Sequence, residues 1–287
     1  MFNNHLLVST LWFAVLICAS PFQVAAATLN GVAPTQYLDS AGQDGYREFL
    51  ASGKHRAFAL APGGGWAWKG GAVSAASASA DALTDCRGDS GQSCILYAVD
   101  DSVVFDSHIW ERLWRPYLNR AEASRAVTGL NRGERFYNLT FRRGTGKPIS
   151  VSDLQGKVVL LHLWGSWCPP CRREIPDLQR LHHALGASPN IEMVLLQVRE
   201  DFEVSQQWLM QQHLNLPLFD SGAKGKVDSS LILANGNKIQ DRDIAPAFPT
   251  TYILDRHGII VFSNIGPAVN WSQYLPLLKD VAKHPEK

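Results

Sequence analysis

Residues 161–176 read "LHLWGSWCPPCRREIP", an apolar run that ends in two cysteines separated by two prolines. Just upstream, 158–164 ("VVLLHLW") is apolar throughout except for His162, the pattern of a strand covered on both faces of a sheet. Downstream, Ile175, Leu178, Leu181 and Leu185 recur at helical spacing, so a helix is expected from about Cys168. A strand that delivers Cys-x-x-Cys to a helix start has a chemical purpose. The unpaired N–H groups and the dipole of the first turn favour negative charge, which stabilises a thiolate at Cys168. Cys171, one turn further in, is placed to attack a mixed disulfide formed at Cys168 and release the reduced substrate. Pro170 gives up an N–H that the first turn would leave unpaired anyway. Arg172 and Arg173 add positive potential wherever their side chains turn toward the sulfur.

Other uses of the pair fit less well. A zinc site needs a second pair at knuckle spacing, which Cys86 and Cys94 do not supply, so no metal is expected. A c-type haem attachment needs His after the second cysteine, where Arg172 stands, and no other cofactor is implied. Cys86 and Cys94 bracket "RGDSGQS" and are read as a structural disulfide worth roughly 2–3 kcal/mol. The alternative, a second redox pair exchanging electrons with Cys168, lacks a helix start to lower a thiol pKa. "GDSG" in the same loop comes without the His and Asp partners of a serine nucleophile.

The 287 residues are 46% apolar and 18% charged, a globular composition. With 27 basic residues against 26 acidic ones, nothing points to nucleic acid or an anionic membrane surface. Residues 1–27 differ. An apolar run over 6–19 is followed by "PFQVAAA", the small-residue pattern of a cleavable export signal, with an uncleaved anchor as the alternative. Cleavage removes Cys18 and leaves four cysteines, an even count that suits an oxidising, periplasmic compartment.

Two regions follow. Residues 28–129 read as a small α+β domain with a connector: a strand pair around "GGG", one helix over "SAASASADALTDC" capped by Ser74, and two strands around Asp100-Asp101. Trp66, Trp68 and Tyr97 there are core residues or, alternatively, an exposed aromatic patch. Residues 130–287 alternate strand and helix. A lead-in hairpin surrounds "RRGTG", and the buried strand, the cysteine helix, "IEMVLLQV" and "EVSQQWLMQQHL" come next. The strand pair "TYILD" and "GIIVFSN" and a last amphipathic helix close the chain.

The segments "GKVVLLHLWGSWCPPCRREIPDL" and "FPTTYILDRHGIIVFSNIGP" together resemble the TlpA/ResA-like exported branch of the thioredoxin superfamily, over roughly residues 130–287. The resemblance implies a thioredoxin-like fold, a central mixed sheet flanked by helices, here preceded by the small α+β domain. It implies a cis-proline at Pro249 and a substrate groove formed by Trp167, Pro169, Phe248 and Pro249. Pro176 matches a proline that kinks the active-site helix, and Glu174 a carboxylate that manages the proton of the buried thiol. His162 is a departure, standing where thioredoxin has a buried Asp and many TlpA-like proteins have Asn. On strand alternation it points in beneath the cysteines, where a neutral imidazole is able to accept the proton of Cys171. Thr250 and Thr251 replace the acidic residue found in relatives that serve cytochrome c maturation. The expected protein is a thiol–disulfide oxidoreductase with Cys168, Cys171, Glu174 and His162 as its catalytic set. Its partners are protein thiols and disulfides and a membrane electron donor. Reductase is the expected direction, against an oxidase or a non-catalytic binding platform.

Overall fold

The computed structural model describes residues 27–29, 34–90, 92–110, 112–113 and 115–283. The export signal read over 1–27 lies outside them, save Ala27. Among the described residues no helix is long and apolar enough to cross a membrane.

The first half builds one antiparallel sheet. In chain order come β1 (Ala27–Thr28), α1 (Ser40–Ala51), β2 (Ala57–Leu60), β3 (Trp66–Lys69), α2 (Ala75–Ser90), β4 (Ile95–Val99) and β5 (Ser102–Val103). The sheet order is β1-β5-β4-β2-β3. Alternation along β2 divides the packing into two unlike layers. Phe58 and Leu60 join Phe49 of α1, Tyr46, Tyr97 and Trp110 in an aromatic layer. Ala57 and Ala59 face Ala78, Ala82 and Cys86 of α2 in a layer of small side chains. This explains the Ser/Ala composition of α2: its helix lies close on the sheet because nothing large intervenes. Trp66 stacks on Phe58 with centroids 6.0 Å apart, and both Trp66 and Trp68 pack against the aromatic layer.

Two expectations for this half need correction. The sheet carries two helices, not one. α1 escapes sequence reading because Gly42 and Gly45 depress its helix propensity, yet those glycines make room for Trp66, whose ring a Cβ at Gly45 would overlap. Gly45→Ala should therefore destabilise this half by roughly 1–3 kcal/mol, read as a lower denaturant midpoint. α2 also runs one turn beyond Cys86, to Ser90, so Cys86 sits inside the helix and not at the start of a loop. Ser74 does bond the N–H of Ser77, at 3.1 Å.

A connector with α3 (Ser107–Trp110) and α4 (Arg120–Arg125) leads to the second sheet. Its elements are β6 (Leu139–Arg143), β7 (Pro148–Ser150), β8 (Val158–Trp164), α5 (Pro169–Leu185), β9 (Ile191–Gln197), α6 (Phe202–Gln211) and β10 (Leu218–Asp220). They continue with β11 (Ser230–Leu233), β12 (Lys238–Gln240), α7 (Asp241–Ile244), β13 (Thr250–Leu254), β14 (Ile260–Ile265) and α8 (Leu275–Lys283). The order is β12-β11-β6-β10-β9-β8-β13-β14, with β7 paired to β6. β8 is parallel to β9 and antiparallel to β13, and all seven of its residues are buried. Strands β10 to β12 were not expected. They are three or four residues long, and their sole fully buried members, Phe219 and Leu231, are too few to register an alternation. The two halves touch where Tyr117 Oη donates to Asp280 (2.8 Å) and where Asn270 Nδ2 donates to the carbonyl of Gln36 (2.9 Å).

Candidate functional site

The site stands where β8 ends and α5 begins. Cys168 is the N-cap of α5 and its sulfur accepts from the N–H of Cys171 at 3.3 Å. Pro169 follows at the first helical position, exposed, and Pro176 lies inside the helix. Cys168 and Cys171 are joined as a disulfide, with Cα atoms 5.3 Å apart. Cys168 is 2% exposed and Cys171 not at all. Arg172 and Arg173 lie exposed on the first turns of α5.

The loop before Cys168 is fixed from the end of β9. Glu200, itself buried, accepts from the N–H of Ser166 (2.7 Å), from its hydroxyl (2.6 Å) and from the hydroxyl of Ser205. Trp167 Nε1 donates to the carbonyl of Val198 at 2.9 Å. Nothing in the sequence pattern singled out Glu200.

Opposite the cysteines, the Phe248–Pro249 peptide is cis and Pro249 is buried. The Phe248 ring is 8% exposed and turned into the protein. The Trp167 ring meets it edge-on at 5.6 Å, and Arg242 covers it at 4.5 Å. Arg199, 5.8 Å from the same ring, is held by a two-point bond to Asp241 (2.6 and 2.7 Å). The group of Phe248 that faces the cysteines is its carbonyl, 3.6 Å from Cys168 Sγ.

Beneath the pair lies a buried polar cluster. His162 has no solvent exposure; its Nδ1 is 2.8 Å from Thr251 Oγ1 and its Nε2 is 3.2 Å from Glu174 Oε1. Neither His162 Nε2 nor Glu174 Oε1 has another partner, so a shared proton is what satisfies both. The other carboxyl oxygen accepts from the N–H of Ala268 (2.9 Å) and from Trp271 Nε1 (3.4 Å). Burial pushes the Glu174 carboxyl up to about 8, against smaller opposing effects of those two bonds. Burial alone lowers His162 to about 3. At neutral pH the carboxyl is therefore protonated and donates to a neutral imidazole, whose Nδ1–H then faces Thr251. Sequence reading placed His162 and Glu174 separately and did not join them. Thr251 was findable, since it sits directly opposite His162 in the β13–β8 register. Ala268 and Trp271 carried no signal.

Away from this cluster, Cys86 and Cys94 are bonded, with Cα atoms 6.2 Å apart. Replacing both with alanine should cost about 2–3 kcal/mol of stability. It should leave reduction of a small disulfide unchanged, because Cys86 and Cys94 belong to the first sheet and the Cys168–Cys171 site is built from the second. Denaturant midpoints and initial rates on the same preparation check both halves of that expectation. No group of acidic, His and Cys residues able to hold a metal occurs among the described residues.

A both-faces-buried strand, a Cys-x-x-Cys capping the next helix and a cis-proline facing it define a thioredoxin-like domain. Residues 133–263 match the model of the AhpC/TSA family. The chain is similar to thioredoxin-like protein YneN of Bacillus subtilis, at 27% identity over 50% of this chain and 76% of that one. It is similar also to thiol-disulfide oxidoreductase ResA of Halalkalibacterium halodurans (29%, over 47% of this chain and 68% of the relative). Thiol:disulfide interchange protein DsbE of Pseudomonas aeruginosa matches at 28% over 52% of this chain and 76% of its own length.

Proposed function

We propose that the chain is an exported thiol–disulfide oxidoreductase of the ResA/DsbE type that works as a protein disulfide reductase. The observation that carries the chemistry is the Cys168–Cys171 pair at the start of α5, with the first sulfur at the helix cap and the second fully enclosed. In the reduced protein the Cys168 thiolate, favoured by the helix start, attacks one sulfur of a substrate disulfide. A mixed disulfide forms and the other substrate sulfur leaves with the electron pair. Cys171 then loses its proton and attacks Cys168, which frees the second substrate thiol and leaves the protein oxidised, as described above. Restoring the thiols takes two electrons and two protons from a donor, in this reading a membrane-bound thiol carrier.

Glu174 lies three residues after Cys171, on the same side of the helix. With its carboxyl near 8 and an unperturbed thiol near about 8.5, proton exchange between them is close to balanced. His162 holds the carboxyl in place and shares its proton. Trp167, Pro169, the Phe248 carbonyl and Pro249 shape the groove that admits substrate. Residues 28–129 form a separate domain, tied by Cys86–Cys94, that recognises the substrate; residues 1–27 direct export.

The Pro-Pro insert, shared with reducing members of the TlpA-like branch, supports the reductase direction. Equilibration of the Cys168–Cys171 couple against glutathione should give a potential below about −220 mV. A value near about −120 mV would make the protein an oxidant that introduces disulfides.

A further inference from the structure

Strand β14 is the last strand of the large sheet, and the start of its outer edge is already in use. The connector adds to it as a short antiparallel partner: the N–H of Gly133 donates to the carbonyl of Ile260 (2.8 Å), and the N–H of Ile260 donates to the carbonyl of Glu134 (2.9 Å). Arg135 bridges Ile259 in the same sense. At Asn131–Glu134 the connector turns back on itself, through the bond from Glu134 N–H to Asn131 O (3.0 Å). From residue 262 to 265 the edge has no strand partner among the described residues.

That free stretch forms one wall of a cleft of about 700 Å³, whose other wall is the end of α2 and the loop closed by Cys86–Cys94. The lining holds two guanidinium groups, Arg87 and Arg132, against one carboxylate, Asp89. The cleft runs toward the cysteine end of the sheet. Ile265 pairs with Thr250, and the N–H of Gly266 donates to the carbonyl of Pro249 at 2.8 Å.

We infer that this cleft binds an extended segment of the protein substrate, bearing carboxylates, as an added strand on β14 beyond the connector. The inference rests on the reading of Cys168 as the thiol that attacks substrate. An unpaired strand edge offers a row of N–H and C=O groups whose natural complement is another extended backbone. The connector shows that this edge accepts one. Strands are spaced about 4.8 Å apart, so an added strand lies about 14 Å from β8 across β13 and β14. An extended chain covers about 3.3 Å per residue, so four to five residues join that strand to a cysteine held at Cys168. The two contacts together recognise a cysteine at a set distance from a strand-forming segment, which the cysteine groove alone does not.

The test uses the full chain carrying Cys171→Ser. It is treated with a synthetic peptide whose single cysteine is activated as a mixed disulfide with thionitrobenzoate. Cys168 attacks the peptide sulfur, and the thionitrobenzoate thiolate leaves with the electron pair, which is read by its colour and by mass. One peptide carries Glu-Val-Thr-Val-Thr-Val five residues from its cysteine; the other carries Gly and Ser there. The first should slow amide exchange in segment 261–266 at least tenfold relative to the second. Gly88→Trp, added to the same chain, should abolish the difference. Gly88 lines the cleft, and a Cβ on it meets nothing within 4 Å, so the indole fills the cleft without disturbing α2. Equal exchange with both peptides, or protection that survives Gly88→Trp, overturns the cleft proposal while leaving the redox reading intact. If neither peptide releases thionitrobenzoate, the redox reading falls and this proposal with it.

Discussion

Cys171→Ser is expected to stop catalytic turnover completely while leaving the protein able to capture substrate through Cys168. The cause is the difference in burial within a pair only three residues apart. Resolution requires a thiolate in line with the bond between Cys168 and the substrate. Cys171, with no exposed surface, occupies that position to the exclusion of outside thiols. A serine keeps the packing and removes the nucleophile. Mixed disulfide should accumulate, visible by mass, and insulin reduction should fall to the uncatalysed rate. Cys168→Ser should fall to the same rate with no adduct at all. Continued turnover in the Cys171→Ser protein would mean that a single thiol suffices and that the order of attack proposed here is wrong.

The second large effect is on stability against pH. Glu174 holds its proton to about 8 in the folded protein, against 4.5 for the free group, so between those values the folded state binds one proton more than the unfolded state. Its contribution therefore falls as pH rises. His162 is neutral down to about 3, against 6.5 for the free group, so between those values the folded state binds one proton fewer and its contribution falls as pH drops. From 4.5 to 6.5 the two slopes cancel. The oxidised protein should lose about 2 kcal/mol between pH 6.5 and 8 from Glu174, and a similar amount between 4.5 and 3 from His162. Urea midpoints of the Glu174→Gln protein should lose the alkaline limb and keep the acid one. The comparison between the two proteins separates Glu174 from Asp255, whose carboxyl burial also raises. An unaltered fall between pH 6.5 and 8 in Glu174→Gln would show that the carboxyl is ionised in the native state.

How much of this could be read from residues alone follows from how local each signal is. β8, β9, β13 and β14 are legible because a central strand must be apolar on both faces. The start of α5 is legible because a capping cysteine and two prolines are local facts. α1 is not, because its glycines make sense only once Trp66 is known to lie against them. The meeting of His162 with Glu174 depends on how far α5 sits above β8, and that distance is set by Ile175 and Leu178 packing in the core, which no spacing rule encodes. The direction of the Phe248 ring was hidden for the same reason: Arg199, just after β9, and Arg242, on α7, cover it, and Asp241 of α7 holds Arg199 in place.

The two disulfides have one further consequence when many copies of the chain share a compartment. If the pair works as a reductase, as proposed, it is a hazard to every bond of its own kind nearby, including Cys86–Cys94 in the next molecule. Cys86 is fully enclosed within α2, Cys94 is 8% exposed, and Cys168 is itself recessed. Two recessed sulfurs do not reach bonding distance unless one of the folds opens. The burial of both bonds is therefore expected to keep copies of the chain from reducing one another, so that the strengths of the two bonds can be set independently.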